Sequence, residues 1–338
     1  MIFEKIHTVP TSEELINKAF KRASRTMSGK TITGKDSRLS ANESMLLTAA
    51  NIFTDNLANV VRRFPSFGNL SPFYYELTDI LVGVEELKMA LGSLDWASRK
   101  IHEVGREYVG KMRKADNPDS VRKEAFGRIA SIIKSIDKDL IFLNKARNIL
   151  RKLPEVGEEP TIIVAGYPNV GKSSFVSKIT GASPEVAPYP FTTKGVTIGH
   201  FYRDNVRYQV MDTPGLLDRP MSERNDIELQ AITAINHLDA ALLLIMDPSE
   251  SCGYEIQDQK NLLEEIKEHF DMPILVVSNK ADRPEFKKLD DVEMNISTIT
   301  GEGIEEVIEK LIEMIPEPKV VVEEADTFPG PEQDPGYQ

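Results

Sequence analysis

The sequence has a single cysteine, Cys252, and only five histidines among its 338 residues. One cysteine cannot form an intrachain disulfide, and this composition offers no spacing of zinc ligands. No apolar run approaches the ~18 residues of a membrane-spanning helix. Acidic residues also interrupt the first 15 positions, where a signal peptide would be apolar. We therefore expect a soluble cytoplasmic protein that has no membrane partner.

The net charge of −12 conceals an asymmetry between the two halves of the chain. Residues 1–155 contain 26 basic and 19 acidic side chains, whereas residues 156–338 contain 15 basic and 34 acidic ones. The first half therefore carries a net charge of +7 and the second a net charge of −19. A basic half can attract polyanions, which the acidic half would repel.

Residues 1–155 are predicted to form an all-α bundle of four or five helices. Two pairs with capping-box spacing, Thr11 with Glu14 and Ser40 with Glu43, precede segments whose apolar residues recur at helical intervals. Strand-like alternation is scarce in this half. The aromatic side chains, Trp96 included, are expected to pack inside the bundle.

Residues 156–160 have the composition of a linker, and the pattern changes after them. Short apolar runs then alternate with helical stretches; the runs are residues 161–165, 208–211, 240–246 and 274–278. This alternation predicts an α/β domain over residues 161–315, with a mostly parallel sheet and helices on both faces. Residues 316–338 hold five prolines and six acidic residues and are expected to form a disordered tail.

The most specific motif is G-x-x-x-x-G-K-S, which begins at Gly166 and lies between a strand-like run and a helical stretch. The backbone N–H groups of such a loop cradle phosphates, and the following helix N-terminus favours an anion. Lys172 can bridge the β- and γ-phosphates, and the Ser173 hydroxyl can ligate Mg²⁺. The nucleotide contacts predicted for this loop are Gly166, Asn169, Val170, Gly171, Lys172, Ser173 and Ser174.

Two further motifs follow strand-like runs in the order that a GTP site requires. In DTPG, the Asp212 carboxylate can hold Mg²⁺ through water, and the Gly215 N–H can meet a γ-phosphate. In NKAD, the carboxylate of Asp282 only accepts hydrogen bonds, and guanine offers two adjacent donors where adenine does not. Asp282 therefore predicts guanine selection, with Asn279 and Lys280 shaping the pocket.

The remaining nucleotide contacts are predicted on either side of these motifs. Phe191 precedes Thr192 and Thr193, either of which can be the switch threonine that completes Mg²⁺ coordination. The backbone of a segment near the end of the domain could contact the guanine carbonyl; its residues are Ser297, Thr298 and Ile299.

With these motifs in place, the sequence resembles the translation-factor class of P-loop GTPases. GYPNVGKSS, PYPFTTKG and DTPGLLDRP are similar to the Obg-related branch, and MDPSESCGY resembles the nucleolar GTP-binding protein 1 family over roughly residues 1–315. The resemblance implies a GTPase that acts as an assembly factor of the large ribosomal subunit. Its expected partners are pre-large-subunit particles, ribosomal RNA and other assembly factors. The long basic extension of the nuclear forms does not follow residue 315, which favours the archaeal short form in the cytoplasm.

Hydrolysis mainly needs residues that orient the reacting groups and stabilise charge. The residues predicted for this role are Lys172, Thr193, Gly215 and Asn169. Leu216 follows Gly215 where Ras-like enzymes place a water-orienting glutamine, so we expect slow unaided hydrolysis. Two ways to accelerate hydrolysis stay open. Either Asn169, which matches an asparagine that helps related GTPases bind K⁺, binds this ion beside the phosphates, or the ribosomal particle completes the site. The alternative function is a GTP-binding scaffold in which turnover is incidental.

The stretch from Lys18 to Arg38 holds seven basic residues and one acidic residue. A solvated helix face is the common role of such a charge run. The scarcity of acidic partners within the stretch and its glycine-containing second part favour RNA instead. The predicted RNA contacts are Arg22, Arg25, Lys30 and Lys35.

Overall fold

A computed structural model describes residues 2–26, 34–157, 159–181, 184–190 and 195–316. These residues form a helical part followed by a mostly parallel sheet with helices, so the predicted fold class is confirmed. None of the helices in the described ranges has both the length and the apolar composition to cross a membrane. Several predicted positions lie outside the described residues: Lys30, the Lys35 side chain, Phe191, Thr192, Thr193 and residues 317–338.

The helical part is built around two long, buried helices. Six helices are described here instead of the four or five predicted, because residues 118–150 form two helices that meet at Ile136. They are α1 Ser12–Arg25, α2 Lys35–Arg63, α3 Pro72–Val82, α4 Val84–Lys114, α5 Pro118–Ser135 and α6 Asp137–Leu150. Helices α2 and α4 pack along each other, and α1, α5 and α6 pack around them. Phe53 and Leu57 of α2 and Leu94 and Ile101 of α4 are fully buried, so the centre of this part is apolar.

One of the two predicted helix starts is confirmed and the other is wrong. The Thr11 hydroxyl accepts the Glu14 N–H at 3.2 Å, and the Glu14 carboxylate accepts the Thr11 N–H at 2.9 Å. Ser40, in contrast, lies inside α2, because that helix begins five residues earlier at Lys35. The Ser37 hydroxyl accepts the N–H of the N-cap residue at 3.0 Å, which explains the earlier start.

The expectation that Trp96 packs inside the bundle is wrong, and one basic residue of the stretch 18–38 has a partner outside it. Trp96 is 50% exposed, because the turn of α4 that buries Leu94 and Ala97 directs position 96 to the opposite face. Arg38 has an acidic partner, Asp119 of α5, which is distant in the sequence. Part of the basic stretch is therefore neutralised by a tertiary contact.

The α/β part contains one sheet with helices on both sides. Its described elements are β1 Thr161–Ala165, α7 Lys172–Thr180, β2 Glu185–Ala187, β3 Val196–Arg203, β4 Val206–Asp212, α8 Asp226–Thr233, β5 Ala240–Met246, α9 Ile256–His269, β6 Ile274–Ser278, β7 Met294–Asn295 and α10 Ile304–Met314. The strand order is β2-β3-β4-β1-β5-β6-β7. The pairs from β4 to β7 are parallel, and β2, β3 and β4 pair antiparallel.

This topology positions the three motifs. Every residue of β1 and β5 is buried, as expected for central strands covered on both faces. The phosphate loop follows β1, DTPG follows β4 and NKAD follows β6. Because β1, β4 and β6 run parallel, these loops leave the same edge of the sheet, the edge where α/β proteins bind ligands.

Helix α3 connects the two parts of the molecule. It packs against α8 and the short 3-10 turn that follows α8. The Tyr74 hydroxyl donates to the Pro154 carbonyl at 2.8 Å and accepts the Val156 N–H at 2.8 Å. Glu76 forms an ion pair with His237. Side chains of α3 thus contact both the linker and the helix that follows DTPG.

Candidate functional site

The phosphate loop crosses very close to the neighbouring strand and to the NKAD loop. Gly166 and Gly171 have φ values of +130° and +113°, which side chains rarely adopt. A Cβ at Gly166 would collide with the Ile245 carbonyl, and a Cβ at Gly171 would collide with the Asn279 amide. Asn169 also has a left-handed φ of 63°, which asparagine tolerates better than most residues. Two of these turns therefore depend on glycine.

Two polar side chains follow the loop at the start of α7. Lys172 is buried, and its Nζ donates to the carbonyls of Gly166 at 2.7 Å and Tyr167 at 2.9 Å. The Ser173 hydroxyl donates to the Asp212 carboxylate at 2.6 Å. The structure therefore joins the first motif to the second. The predicted contact Ser174 is exposed at the start of α7, as Ser173 is.

Asp212 is only 1% exposed, and one of its oxygens, Oδ1, has no hydrogen-bond partner among the described residues. Burial raises the pKa of Asp212 and the charge of Asp218 adds to this, whereas the Ser173 hydrogen bond and Lys172 oppose the shift. An unpartnered carboxylate oxygen beside a serine hydroxyl suits a hard cation. Mg²⁺ takes oxygen ligands and commonly binds through one or two carboxylates together with phosphates and water.

Asn279 ties the NKAD loop to the phosphate loop. Its side-chain N–H₂ donates to the Val170 carbonyl at 2.7 Å and to the Thr298 hydroxyl at 3.1 Å. Its side-chain oxygen accepts the Thr298 N–H at 3.0 Å. Since Asn279 is 1% exposed, this residue acts in the structure as a brace between three segments.

The guanine-selecting carboxylate is more accessible. Asp282 is exposed and accepts a hydrogen bond from the Ser297 hydroxyl at 2.6 Å, which orients it. Ser297 and Thr298 are both buried beneath the loop. Ile299, by contrast, is 70% exposed, and its carbonyl accepts from Lys178 at 3.3 Å. The structure brings the predicted segment 297–299 beside Asp282, with its polar side chains turned inward.

Asp247, which follows β5 and is fully buried, was not predicted as a site residue. Its carboxylate accepts from Lys280 Nζ at 2.6 Å, from the Ser251 hydroxyl at 3.0 Å and from the N–H groups of Ser249 at 3.0 Å and Cys252 at 2.8 Å. Burial alone would raise the pKa of Asp247, but the hydrogen bonds from Lys280 and the two serines lower it. The available signal was its place at a strand end between two motif-bearing strands.

Our sequence analysis also missed the two side chains that hold the DTPG loop. The Gly215 N–H donates to the Asp218 carboxylate at 2.7 Å. Arg224, which is 8% exposed, donates to the carbonyls of Gly215 at 3.1 Å and of Leu216. Leu216 and Leu217 are fully buried, so their identity is explained by packing. No sequence spacing distinguishes Asp218 and Arg224 from ordinary loop residues.

The predicted RNA contacts that the structure describes lie on a different part of the molecule. Arg22 and Arg25 are exposed in the last turn of α1, where positive charge also suits the helix dipole. Helix α1 packs on α2 and α5. RNA contact by these arginines stays a prediction.

Comparisons with known proteins cover both parts of the chain. Residues 3–157 match the family described as NOG1 N-terminal helical domain, and residues 226–282 match Nucleolar GTP-binding protein 1. Nucleolar GTP-binding protein 1 of Drosophila melanogaster is 39% identical over 288 residues. This chain belongs to the nucleolar GTP-binding protein 1 family. The Drosophila match covers 83% of this chain but 44% of that protein, so the chain spans less than half of that relative's length.

Two further proteins are similar to this chain. An uncharacterised protein of Methanocaldococcus jannaschii is 43% identical over 286 residues, which cover 83% of this chain and 81% of that one. A crystal structure of nucleolar GTP-binding protein 1 from Plasmodium falciparum is 35% identical, with a TM-score of 0.44. It covers 48% of this chain and 90% of that structure's chain.

Proposed function

We propose that this chain binds GTP and hydrolyses it to GDP and phosphate where its three motifs meet. The observation that carries the proposal is the pair of contacts that joins them: Ser173 to Asp212 at 2.6 Å, and Asn279 to Val170 at 2.7 Å. These contacts bring the loop after β1, the Asp212 carboxylate and the loop after β6 together at one sheet edge, which is the arrangement that a GTP site needs. The name of the Drosophila relative, which describes GTP binding, supports the same reading.

In this proposal, the residues of the phosphate loop bind and orient the triphosphate. The Lys172 ammonium, which donates to two loop carbonyls, stabilises the negative charge that develops on the γ-phosphate oxygens. Ser173 and the switch threonine, expected at Thr193, would hold Mg²⁺, and Asp212 would orient it through water. The bound Mg²⁺ would neutralise charge on the β- and γ-phosphate oxygens. Asp282 accepts the two guanine donors, and the Ser297 hydroxyl holds its carboxylate in place.

The two residues that follow Gly215 cannot orient the attacking water. Leu216 and Leu217 are buried and cannot hydrogen-bond water, so slow intrinsic hydrolysis is the expected behaviour. Asn169 has the left-handed conformation of a residue at a loop apex and can offer its side-chain oxygen to K⁺. Replacing Na⁺ by K⁺ should therefore increase turnover at saturating GTP, and equal rates in the two salts would remove Asn169 from the mechanism.

We further propose that the nucleotide controls the binding of the helical part to precursors of the large ribosomal subunit. The net charge of +7 over residues 1–155 and the exposed Arg22 and Arg25 suit a phosphate backbone. Helix α3 contacts α8, the helix after DTPG, which gives a physical route between nucleotide and docking surface. Ribosomal RNA is the expected contact, and other assembly factors are further partners.

Calorimetry with GTP, GDP and ATP tests the nucleotide assignment. Wild-type protein should bind GTP and GDP in Mg²⁺ buffer and should not bind ATP measurably. An Asp282→Asn variant should lose affinity for GTP, because its amide would place a donor against a guanine donor. Glu285→Gln removes one charge from the exposed continuation of the same loop and serves as the control. Equal affinity for ATP and GTP in wild-type protein would contradict the proposal.

Gradient co-sedimentation with large ribosomal particles, in GTP, GDP and nucleotide-free buffer, tests the partner and the switch together. Binding should depend on the nucleotide and weaken with added salt through counterion release. Neutralising Arg22, Arg25 and Lys30 to alanine should weaken it without changing GTP affinity. A matched variant with Lys134, Lys138 and Lys145 changed to alanine controls for net charge, since these lysines are exposed on α5 and α6. Unchanged sedimentation of the first variant would reject the RNA contact.

The second candidate function is a GTP-binding scaffold, which the buried Leu216 and Leu217 favour. The two candidates differ in one measurement. Large ribosomal particles should stimulate GTP hydrolysis if the chain is a switching assembly factor. If particles bind but leave hydrolysis unchanged, the scaffold explains the site better.

A further inference from the structure

The N–H of Gly215 has one acceptor in the structure, the carboxylate of Asp218 at 2.7 Å. A backbone N–H supplies a single donor, and a hydrogen bond to an ionised carboxylate is among the stronger ones in proteins. In the proposed function, the same N–H meets the γ-phosphate. The side chain of Asp218 and the γ-phosphate therefore need the same donor.

The peptide that follows Gly215 is held on both of its polar atoms. The N–H groups of Leu216 and Leu217 donate to the Thr213 carbonyl, at 3.0 Å and 3.3 Å. The buried Arg224 donates to the Gly215 carbonyl at 3.1 Å. The Asp218 carboxylate is the contact that holds the Gly215 N–H on the N-terminal side of the same residue. A change of acceptor at this N–H therefore leaves the other contacts of the turn in place.

Charge strengthens the competition. The carboxylate of Asp218 and the γ-phosphate are both negative groups, and they repel each other when they approach the same N–H. A γ-phosphate would bring further negative charge into the same space, whereas GDP ends at the β-phosphate. Asp218 is only partly buried, so its side chain has room to leave the Gly215 N–H. The free energy needed to displace the Asp218 side chain would therefore weaken the binding of GTP and not that of GDP.

We infer that Asp218 is a positioning residue that lowers the preference for GTP over GDP by occupying the γ-phosphate donor of Gly215. The inference rests on the proposed function, because it assumes a guanine nucleotide over Lys172. It assigns to this site a built-in competitor for the third phosphate. GTP must displace the Asp218 carboxylate before the DTPG loop can bind the γ-phosphate.

The test is the ratio of two dissociation constants, for GDP and for a non-hydrolysable GTP analogue with an NH bridge between the β- and γ-phosphates. Calorimetry in Mg²⁺ buffer would compare wild type with Asp218→Ala and Asp218→Asn. The alanine variant should bind the analogue about tenfold more tightly, the lower end of the range for a hydrogen bond to a charged group. GDP affinity should not change. Asparagine keeps an acceptor but loses the charge, so it should shift the ratio in the same direction by less.

The control is Asp226→Asn, which removes the same charge from an exposed residue of the same segment. It should leave the ratio at the wild-type value. If Asp218 only supports the loop, its loss will weaken GDP and the analogue together, and that result would overturn the inference, as would an unchanged ratio. If the alanine variant does not fold, the isosteric asparagine variant decides the question. Failure of the proposed function gives a different result, because wild-type protein would then bind neither nucleotide.

Discussion

The helical part and the α/β part of this molecule bury different kinds of polar side chain. Among the described residues before the linker, the buried polar side chains carry no charge; they are Ser12, Asn42, Thr78 and Ser98. Among its own described residues, the α/β part buries four charged side chains: Lys172, Asp212, Arg224 and Asp247. Desolvation of a charge is unfavourable unless partners compensate for it. The helical part is therefore organised for packing, and the α/β part accepts a cost in stability where a nucleotide site needs charge.

The largest effect on stability is expected from Asp247→Asn. The change leaves the Lys280 ammonium, whose side chain is 13% exposed, without its carboxylate, and breaking a buried pair in this way costs about 3–5 kcal/mol. Denaturant unfolding measures the loss, and calorimetry should show GTP and GDP weakened alike. Asp291→Asn, which breaks an exposed pair with Lys260, is the control and should cost far less.

The Asp247 contribution should also depend on pH, with a definite sign. The folded pKa of Asp247 lies below the ordinary value of 3.8, so its stabilising effect is present above that value. The effect is lost as the pH falls through the lowered folded pKa. The difference in unfolding free energy between wild type and Asp247→Asn should therefore shrink at acidic pH. A difference that grows on acidification would contradict the ion pair.

In the helical part, Leu94→Ala is the corresponding change. Leu94 is fully buried at the centre of α4, and truncation of such a leucine costs about 2–5 kcal/mol through lost burial and a cavity. Nucleotide affinity of the folded protein should not change, in contrast to Asp247→Asn. Leu47→Ala on α2, where the side chain is 39% exposed, is the matched control. A change in GTP affinity caused by Leu94→Ala would show that the two parts are not separable in this way.

A smaller effect is expected at the contact between the two parts. The ion pair of Glu76 with His237 is partly exposed, and such pairs contribute about 0–1 kcal/mol. A double-mutant cycle with Glu76→Gln and His237→Asn would measure the coupling from denaturant unfolding. A coupling well above that range would show that the boundary between the parts is as tightly integrated as their interiors.

The smallest effect is expected from Trp96→Gln. Half of this side chain is already in solvent, and exposed substitutions usually change stability by about 0.5 kcal/mol or less in either direction. Trp96 is the only tryptophan in the chain, so tryptophan fluorescence cannot follow the unfolding of this variant. Circular dichroism during thermal unfolding is therefore the suitable measurement. A substantial loss of stability would restore the original expectation that Trp96 packs the bundle.

The features that sequence reasoning predicted correctly are local ones. Apolar periodicity separated helices from strands, and the Thr11 capping box marked a helix start, because both depend on neighbours within a few residues. The order of the three motifs relative to their strands was also readable. The parallel direction of these strands then follows from general rules about strand connections.

What could not be predicted depends on contacts between distant positions. Lys280 lies 33 residues from Asp247 in the chain, and no spacing rule connects them. Arg38 and Asp119 are 81 residues apart. Both pairs required the packing of the whole chain. The exposure of Trp96 did not, because the helical spacing that buries Leu94 and Ala97 already directs position 96 to the opposite face.

The close approach of Gly171 to the Asn279 amide has an evolutionary consequence. Any larger residue at position 171 would displace the amide that braces the base-reading loop, although the two positions belong to separate motifs. Shortening the side chain at 279 would remove this collision but not the φ of +113° at position 171, which side chains rarely adopt. Position 171 should therefore stay glycine in any lineage that keeps this loop, even where position 279 changes.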